Sequence, residues 1–293
     1  MKRRIGAHVS ASGGLDKAVE RAHAIGCNAV QVFSASPRVW KKPDLDSIDT
    51  KKFFAKQTEL DIFPVITHGL YLINLASDNP AQIQKSVDSL IFELQFDALI
   101  KGGGVVVHLG SHQGRGWEAS KEQLAKHIST ILKQTPEEST FLIENSAGQN
   151  GKLNSDLSEI RWLFDQVKSP RLKWCFDTCH GHAAGFKLSP KSTLHLDEAG
   201  KNPERGVIED ELEKLDLWKT LACIHVNDSK DPYASGRDRH ENLKDGMIPT
   251  ADLEYFLNLK KIEHIRLITE VPGIEGNGPD EENIVRFKQL IGE

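Results

Sequence analysis

Eight short apolar segments, each followed by a stretch with helical periodicity, are the feature of this 293-residue chain that most constrains its fold. The apolar segments span residues 4–8, 29–33, 63–67, 104–108, 140–144, 172–177, 222–226 and 265–270. The helical stretches span residues 14–25, 47–59, 80–101, 119–133, 153–167, 208–219, 250–258 and 280–291. Strands this apolar have no solvent-facing side, and strands that alternate with helices run parallel. The sequence therefore predicts an α/β fold, a single TIM-type (β/α)8 barrel over residues 1–293.

The main alternative architecture is an open doubly wound sheet, but no Gly-x-Gly-x-x-Gly motif follows the first apolar segment. Local signals mark the third helical stretch most clearly. Asn79 is its expected N-cap, Pro80 its first residue and Gly102 its stop. Residues 187–202, rich in Lys, Ser, Pro and His, are expected to form an inserted loop within the same domain.

Net charge excludes one class of nucleic-acid-binding protein. The chain has 37 Lys and Arg against 42 Asp and Glu, so its formal charge is −5, whereas a protein that coats nucleic acid through positive charge alone would be basic. The basic N-terminus lacks the apolar stretch of a secretory signal, and no segment has the roughly 18 apolar residues of a membrane span. We therefore expect a cytoplasmic protein with no membrane partner, whose four cysteines are reduced and buried.

Six of the eight apolar segments have a candidate metal-binding histidine or carboxylate at their carboxyl end or one residue from it. These residues are His68, His108, Glu144, Asp177, His225 and Glu270. The carboxyl ends of parallel barrel strands open onto one face, so side chains from distant parts of the chain converge there. His180 follows Asp177 by three residues, and Asp238 and His240 lie two apart in the loop after the seventh segment. Nitrogen and oxygen donors without thiolates favour zinc or manganese, with more than one ion where a carboxylate bridges.

A single histidine or carboxylate at a strand end is more often a buried, hydrogen-bonded residue than a metal ligand. The joint pattern changes this balance, because ionisable side chains at six strand ends are costly unless they are paired or bound to metal. His8 also ends a strand, and we expect it to hold a ligand in place rather than to bind metal.

Motifs along the whole chain resemble the endonuclease IV family, the zinc-dependent apurinic/apyrimidinic endonucleases. The matching segments are GAHVSASGGL at 6–15, HGLYLINLA at 68–76, HLGSH at 108–112, IENSAGQ at 143–149, FDTCHGHAAGF at 176–186, HVNDSK at 225–230, GRDRHENL at 236–243 and ITEVPG at 268–273. The DTCH and DRH motifs with their surroundings are the most specific of these. The resemblance implies a TIM-type barrel with a trinuclear zinc site.

The resemblance also implies a ligand set for three Zn²⁺ per chain, with Mn²⁺ as an alternative at one site. His68, His108 and Glu144 would hold the first ion; Glu144, Asp177, His225 and Glu270 the second; and His180, Asp238 and His240 the third. The implied reaction is hydrolysis of the phosphodiester 5′ to an abasic site in double-stranded DNA, with removal of 3′ blocking groups as a further activity. Glu144 and Glu270 are the predicted catalytic residues, the first orienting the attacking water and the second assisting as a base.

DNA contact is predicted for Arg38, Tyr71 and Leu72. Tyr71 and Leu72 closely follow the candidate ligand His68, and a loop that exposes them would insert into a base stack. An abasic site lacks one base, so less stacking opposes the insertion. The alternative is that both side chains cap the barrel, but the resemblance favours insertion at this loop and at Arg38. A DNA-binding surface on one barrel face favours a monomer.

Two places depart from the family pattern. The glycine-rich run that follows His240 in relatives becomes residues 242–249 here and has lost two glycines, so the geometry of this loop is an open question. His182 stands where relatives have an apolar or aromatic residue, and it would add a stray ligand or a hydrogen bond. Neither change removes a candidate ligand.

Two other functions remain open at this point. A sugar isomerase of the xylose-isomerase-like barrels also collects His, Asp and Glu at strand ends, but it lacks the DRH and YLINL loops and uses one or two divalent ions. A catalytically silent DNA-binding relative would keep the surface without the reaction. Charge does not exclude a nuclease, because three Zn²⁺ would bring the formal charge from −5 to +1 and present a cationic face to phosphate.

Overall fold

The structure, a computed structural model that describes residues 3–196 and 201–293, contains a closed barrel of eight parallel strands. The strands are β1 Ile5–His8, β2 Ala29–Phe33, β3 Val65–His68, β4 Val105–Val107, β5 Phe141–Glu144, β6 Leu172–Asp177, β7 Leu221–His225 and β8 Arg266–Thr269. Consecutive strands pair with each other, and β1 pairs with β8 as well as with β2, which closes the sheet. The predicted TIM-type barrel is confirmed, and each strand overlaps one of the apolar segments.

Helices alternate with the strands. Those of the described residues are α1 Leu15–Ala24, α2 Thr50–Glu59, α3 Pro80–Leu99, α4 Lys121–Lys133, α5 Leu157–Val167, α6 Thr178–Ala184, α7 Ile208–Lys214, α8 Thr250–Leu257 and α9 Glu281–Leu290. Each of the eight predicted helical stretches contains one of them. The sequence pattern does not predict α6, because all its residues are buried and it has no amphipathic face. Asp177 starts this helix by accepting a hydrogen bond from the N–H of His180 at 2.8 Å.

Helix α3 begins as predicted but ends differently. The side chain of Asn79 accepts hydrogen bonds from backbone N–H groups of the first turn. The helix stops at Leu99, and the left-handed residue that follows is Lys101, with φ of 51°, rather than Gly102. Gly102 is needed for space instead, since a Cβ atom there would overlap the carboxylate of Asp97.

Two rings of side chains fill the barrel interior, with one residue from each strand in each ring. Inward-facing residues recur at every second position along a strand. The lower ring, called here the apolar ring, consists of Gly6, Ala29, Ile66, Val106, Leu142, Cys175, Cys223 and Ile268. The upper ring, called the polar ring, lies two residues further along each strand and consists of His8, Gln31, His68, His108, Glu144, Asp177, His225 and Glu270. The fold thus places the polar ring directly above the apolar ring.

The segment predicted as an inserted loop, residues 187–202, follows α6. The two-residue strands Phe186–Lys187 and Gly206–Val207 pair in parallel and close the base of this segment. Residues 197–200 of the predicted loop lie outside the described part of the chain.

The cysteine prediction is confirmed, because all four cysteines are buried and none forms a disulfide. A separate finding concerns membranes: none of the helices within the described ranges has the length and apolar character needed to cross a bilayer.

Asp97 gives the fold a testable pH dependence. This residue is 1% exposed, and its Oδ1 accepts a hydrogen bond from the N–H of Gly104 at 3.1 Å. Burial raises the pKa of the carboxyl from 3.8 to about 7. The folded state therefore keeps a proton that the unfolded chain releases, and the free energy of unfolding falls as pH rises between these two values.

Asp97→Asn keeps an acceptor oxygen but cannot ionise. We expect its stability relative to wild type to be higher at pH 8 than at pH 4, by about 1 kcal/mol or more. Denaturant unfolding at both pH values measures this difference. Asp78→Asn, at an exposed position, is the control and should show no such change. An Asp97→Asn difference that is the same at both pH values would contradict the assignment.

Candidate metal centre

Glu144 lies in the polar ring and has four imidazoles around it, including that of His180, whose Nδ1 is 3.5 Å from Oε1. Its Oε1 is 2.9 Å from Nδ1 of His225, and its Oε2 is 3.1 Å from Nε2 of His108 and 3.5 Å from Nε2 of His68. The residue is 1% exposed. Its two oxygens therefore face different donors, as a carboxylate that bridges two metal ions does.

Three groups of donors meet around this carboxylate. Within each group the ligand atoms lie within 4.8 Å of one another. The groups are His68, His108 and Glu144; Glu144, Asp177, His225 and Glu270; and His180, Asp238 and His240. All nine residues predicted as metal ligands are thus brought together, in the grouping that the sequence analysis assigns to three ions.

The third group depends on α6 and on the loop after β7. His180 lies in the first turn of α6, and its Nε2 is 2.9 Å from Oδ1 of Asp238. The two-residue strand His240–Glu241 pairs with Asp228–Ser229, just beyond the end of β7, and this pairing returns His240 to the barrel mouth. Nε2 of His240 is then 3.7 Å from Oδ1 of Asp238.

The carboxylates of the centre favour positive charge on the groups that surround them. Burial opposes protonation of His180, but the carboxylates of Asp177 and Asp238 outweigh it and raise the pKa of this imidazole to about 10. Burial likewise opposes the charged form of Glu144, but His108 and His225 hold the pKa of that carboxyl well below its ordinary value. Protonated imidazoles supply positive charge in this arrangement, and a bound cation would supply it in their place.

Several buried atoms of the centre are left without a hydrogen-bond partner among the described residues. They are Nδ1 of His108, Nε2 of His240 and Oε2 of Glu144, whose neighbouring imidazole nitrogens at 3.1 and 3.5 Å lack hydrogen-bond geometry. An unsatisfied buried polar atom costs about 1–3 kcal/mol. Open nitrogen and oxygen atoms in a cluster of imidazoles and carboxylates match the ligand chemistry of zinc.

Comparison with known proteins agrees with this geometry. A family model described as a xylose isomerase-like TIM barrel matches residues 19–288. A probable endonuclease 4 from Persephonella marina is 34% identical over 289 residues, which cover 98% of this chain and 97% of the relative. The chain belongs to the endonuclease IV family.

Solved structures give the same relation. Endonuclease IV from Thermus thermophilus is similar with a TM-score of 0.78 at 28% identity, with 99% of each chain covered. A 3-keto-D-glucoside 4-epimerase from E. coli is similar with a TM-score of 0.66 at 12% identity, with 100% of each chain covered. The second likeness shows the fold alone.

Gln31 is a residue of the site that the strand-end pattern misses, because an amide is not among the ligand types that the pattern counts. Its Nε2 donates to Oε1 of Glu270 at 2.5 Å, and its Oε1 lies 2.8 Å from Nε2 of His225. Nδ1 of His8 lies 3.2 Å from the same Glu270 oxygen. Gln31 and His8 thus hold the candidate ligands Glu270 and His225 in place. The sequence signal that could identify Gln31 is the two-residue repeat of inward-facing positions, because Gln31 follows the buried Ala29 by two positions on the same strand.

Two asparagines hold Asp177 in a similar way. Nδ2 of Asn227 donates to Oδ2 of Asp177 at 2.7 Å, and Oδ1 of Asn227 accepts from the N–H of Glu270 at 2.7 Å. Oδ1 of Asn145 accepts from the N–H of Asp177 at 2.6 Å. Both asparagines closely follow a candidate ligand, in the motifs EN and HVN, and that position is the sequence signal for them.

Lys152 adds a cation to the edge of the third group. Its Nζ donates to Oδ2 of Asp238 at 3.0 Å, on the opposite oxygen from His180. The backbone around Lys152 is fixed, because Ser111 and Lys152 form an antiparallel bridge and the N–H of Leu153 donates to the carbonyl of Gly110. Nothing in the sequence indicates this contact, which depends on two loops meeting across the barrel mouth.

The three residues predicted to contact DNA lie in two loops that touch each other. Tyr71 is 60% exposed, and its ring packs edge-on against Phe33 with centroids 5.2 Å apart. The N–H of Tyr71 donates to the carbonyl of Pro37 at 3.2 Å, beside the exposed Arg38. Leu72 is half-buried. Tyr71 therefore projects from the barrel mouth instead of being covered within it.

The loop at 242–249 is organised by a buried carboxylate. Asp228 accepts hydrogen bonds from the N–H groups of Lys244 and Gly246 at 3.1 Å and of Ile248 at 3.0 Å. Lys244 stands at one of the two positions that have lost a glycine, and its φ of 72° is in the left-handed region. Gly246 is retained where a Cβ atom would overlap Asp228. The loop therefore closes without the lost glycines, with backbone strain at Lys244.

His182 is not a stray ligand. It lies within α6, is 1% exposed and stands beside Tyr233 with ring centroids 5.6 Å apart. It belongs to none of the donor groups found in the described part of the chain, and neither of its ring nitrogens has a hydrogen-bond partner there. That part of the sequence expectation is wrong, because α6 turns this side chain away from the polar ring.

Lys244→Gly should raise the free energy of unfolding by up to about 1 kcal/mol, because relief of left-handed strain exceeds the entropic cost of glycine. The lost contact between Nζ and Oε1 of Gln289 is exposed and contributes little. Denaturant unfolding measures the change. Lys126→Gly, on the exposed side of α4, is the matched control and should lose about 1 kcal/mol. If both variants lost stability alike, the strain assigned to Lys244 would be refuted.

Proposed function

We propose that this protein is a DNA-repair endonuclease that hydrolyses the phosphodiester 5′ to an abasic site in duplex DNA, leaving a 3′-hydroxyl and a 5′-deoxyribose phosphate. Membership of the endonuclease IV family supports the broader statement, a DNA-cleaving repair enzyme. The observation that carries the finer one is the convergence of nine nitrogen and oxygen donors in three groups at the barrel mouth. Removal of 3′ blocking groups is the same hydrolysis at a strand end, and the proposal includes it.

The donors fit three Zn²⁺ ions, with Mn²⁺ as an alternative at one of them. Imidazoles and carboxylates make up all three groups, and three of their buried atoms have no hydrogen-bond partner among the described residues. Each ion would be held by one of the three groups, with Glu144 shared between the first two. When bound, such ions lower the pKa of water and neutralise charge on phosphate oxygens.

Glu144 and Glu270 are proposed as the catalytic carboxylates, with different tasks. Glu144 is enclosed and directs one oxygen toward His225 and the other toward His108. It would therefore orient the attacking water between the first two donor groups. Glu270 is more open, with a side chain that is 15% exposed. Gln31 fixes one of its oxygens. Burial opposes ionisation of Glu270, but His225 outweighs it and holds the pKa of this carboxyl below its ordinary value. We propose that the ionised carboxylate assists as the base that accepts a proton from water.

The substrate surface is proposed to lie beside the donors. A cavity of about 220 Å³ opens between Tyr71, His108, Lys152 and Asp238. The exposed ring of Tyr71 lies at the edge of this cavity. Its insertion into a base stack would cost roughly a few kcal/mol of unstacking, and this cost is smallest at an abasic site, where one base is missing. Leu72 and Arg38 flank Tyr71 and complete the proposed contact surface.

The proposed partner is double-stranded DNA and the proposed state is a monomer. All nine donors come from one chain, so the centre needs no second subunit. The proposed DNA contacts come from the same chain, in the loops after β2 and β3.

Glu144→Gln removes the charge of the bridging carboxylate and keeps its size. We expect incision of a duplex that carries one tetrahydrofuran abasic analogue to fall by about 100-fold or more, while binding of that duplex survives. Glu282→Gln, at an exposed position on α9, is the control and should incise normally. Unchanged incision by Glu144→Gln would refute the bridging role.

Wild-type protein in the same assay tests the proposed function itself. Absence of incision by the fully metallated protein, beside normal incision by an endonuclease IV control, would refute it. Metal content measured on the same sample separates the rival: about three zinc per chain favours the nuclease, whereas one or two divalent ions favour a sugar isomerase.

Tyr71→Ala tests whether the exposed ring contacts DNA or only covers the barrel. We expect affinity for the abasic duplex to fall by about 10-fold or more, because stacking of a base on an aromatic ring contributes roughly 1–3 kcal/mol. Metal content should not change, since Tyr71 belongs to none of the donor groups described. Tyr255→Ala, on α8, is the control. Equal affinity of Tyr71→Ala and wild type would favour the covering role.

A further inference from the structure

A second kind of donor cluster lies directly beneath the polar ring. Cys175 of β6 and Cys223 of β7 are opposite each other in the strand register and fully buried. The register shifts just before this pair, because Ala222 is an extra residue in β7. Both cysteines belong to the apolar ring, two positions before Asp177 and His225.

The sulfur atoms of these cysteines and a ring nitrogen of His225 lie within 4.8 Å of one another. Ligand atoms around one tetrahedral metal ion are only slightly closer, since metal–sulfur bonds are about 2.3 Å long. Small movements of three side chains would therefore bring all three donor atoms to bonding distance from one ion. Two thiolates and an imidazole are soft to borderline donors, unlike the carboxylates above them.

The surroundings of the pair favour a complex without net charge. The other members of the apolar ring are Ala29, Ile66, Val106, Leu142 and Ile268, together with Gly6. An isolated charge is costly among such side chains. A divalent ion held by two thiolates and a neutral imidazole is electrically neutral, because the two thiol protons and the proton on the His225 nitrogen that binds leave to solvent.

We propose that Cys175, Cys223 and His225 form a binding site for a thiophilic metal ion such as Cd²⁺, beneath the three donor groups at the barrel mouth. His225 is shared with the group of Glu144, Asp177 and Glu270, so an ion at the cysteines draws on an imidazole of the proposed zinc centre. The site thus links exposure to a soft metal with loss of a ligand from the catalytic groups.

The test is titration of metal-free protein with Cd²⁺, followed by the ultraviolet charge-transfer band of cadmium bound to thiolate. The band should appear in wild type and fall by about half or more in Cys175→Ala and in Cys223→Ala, since each variant lacks one of two thiolates. Cys27→Ala is the matched control, because Cys27 is a buried cysteine outside the donor groups of the described residues, and it should keep the wild-type band. Cys179→Ala tests the remaining thiol, because Cys179 lies within 4.8 Å of donor atoms of Asp177 and His240; it should also keep the band when the ion is held by Cys175 and Cys223.

No band in wild type, a wild-type band in Cys175→Ala, or a band lost only in Cys179→Ala would overturn the proposal. Cadmium NMR of the wild-type protein gives a second readout that does not depend on variants folding. A signal in the range of two sulfur ligands supports the site, and signals of nitrogen and oxygen ligation alone overturn it. Neither readout uses DNA cleavage, so failure here is distinguishable from failure of the proposed nuclease function.

Discussion

The two-residue repeat of inward-facing side chains, closed around eight parallel strands, is the constraint on which both the core and the candidate metal centre depend. Each polar-ring residue is tied to an apolar-ring residue two positions earlier on the same strand. A slip of one residue in any strand would turn a donor outward and bring an outward side chain into the centre. The extra residue Ala222 in β7 shows how finely this register is set, since it places Cys223 opposite Cys175 and so fixes where His225 stands.

Crowding of imidazoles and carboxylates is unfavourable in itself, and the fold compensates for it locally. The apolar ring below excludes water and strengthens every electrostatic interaction above it. Gln31, Asn145 and Asn227 satisfy oxygens and N–H groups that would otherwise be unpartnered. Lys152 brings an ammonium to Asp238, so one carboxylate of the third group is already paired within the chain. The candidate donors are thereby held in position by the folded chain itself.

The barrel and the ligand candidates were predictable from sequence because both follow from repeating patterns. Apolar runs that alternate with helical periods determine the strands, and a donor at the end of a run determines its place at the barrel mouth. The grouping of the donors came from resemblance to the endonuclease IV family and matches the observed distances. What the sequence could not supply depends on contacts between distant segments. The pairing of Lys152 with Asp238, the need for Gly102 beside Asp97 and the burial of α6 are examples.

The hydrogen bond between the N–H of Tyr71 and the carbonyl of Pro37 connects the loops after β2 and β3. The packing of the Tyr71 ring on Phe33 stabilises the same connection. A surface assembled during folding loses little conformational entropy when it meets a ligand. If this edge receives DNA, the duplex is then the component that has to bend and open. Discrimination would rest on how easily each site along the duplex deforms, and a site without a base deforms most easily.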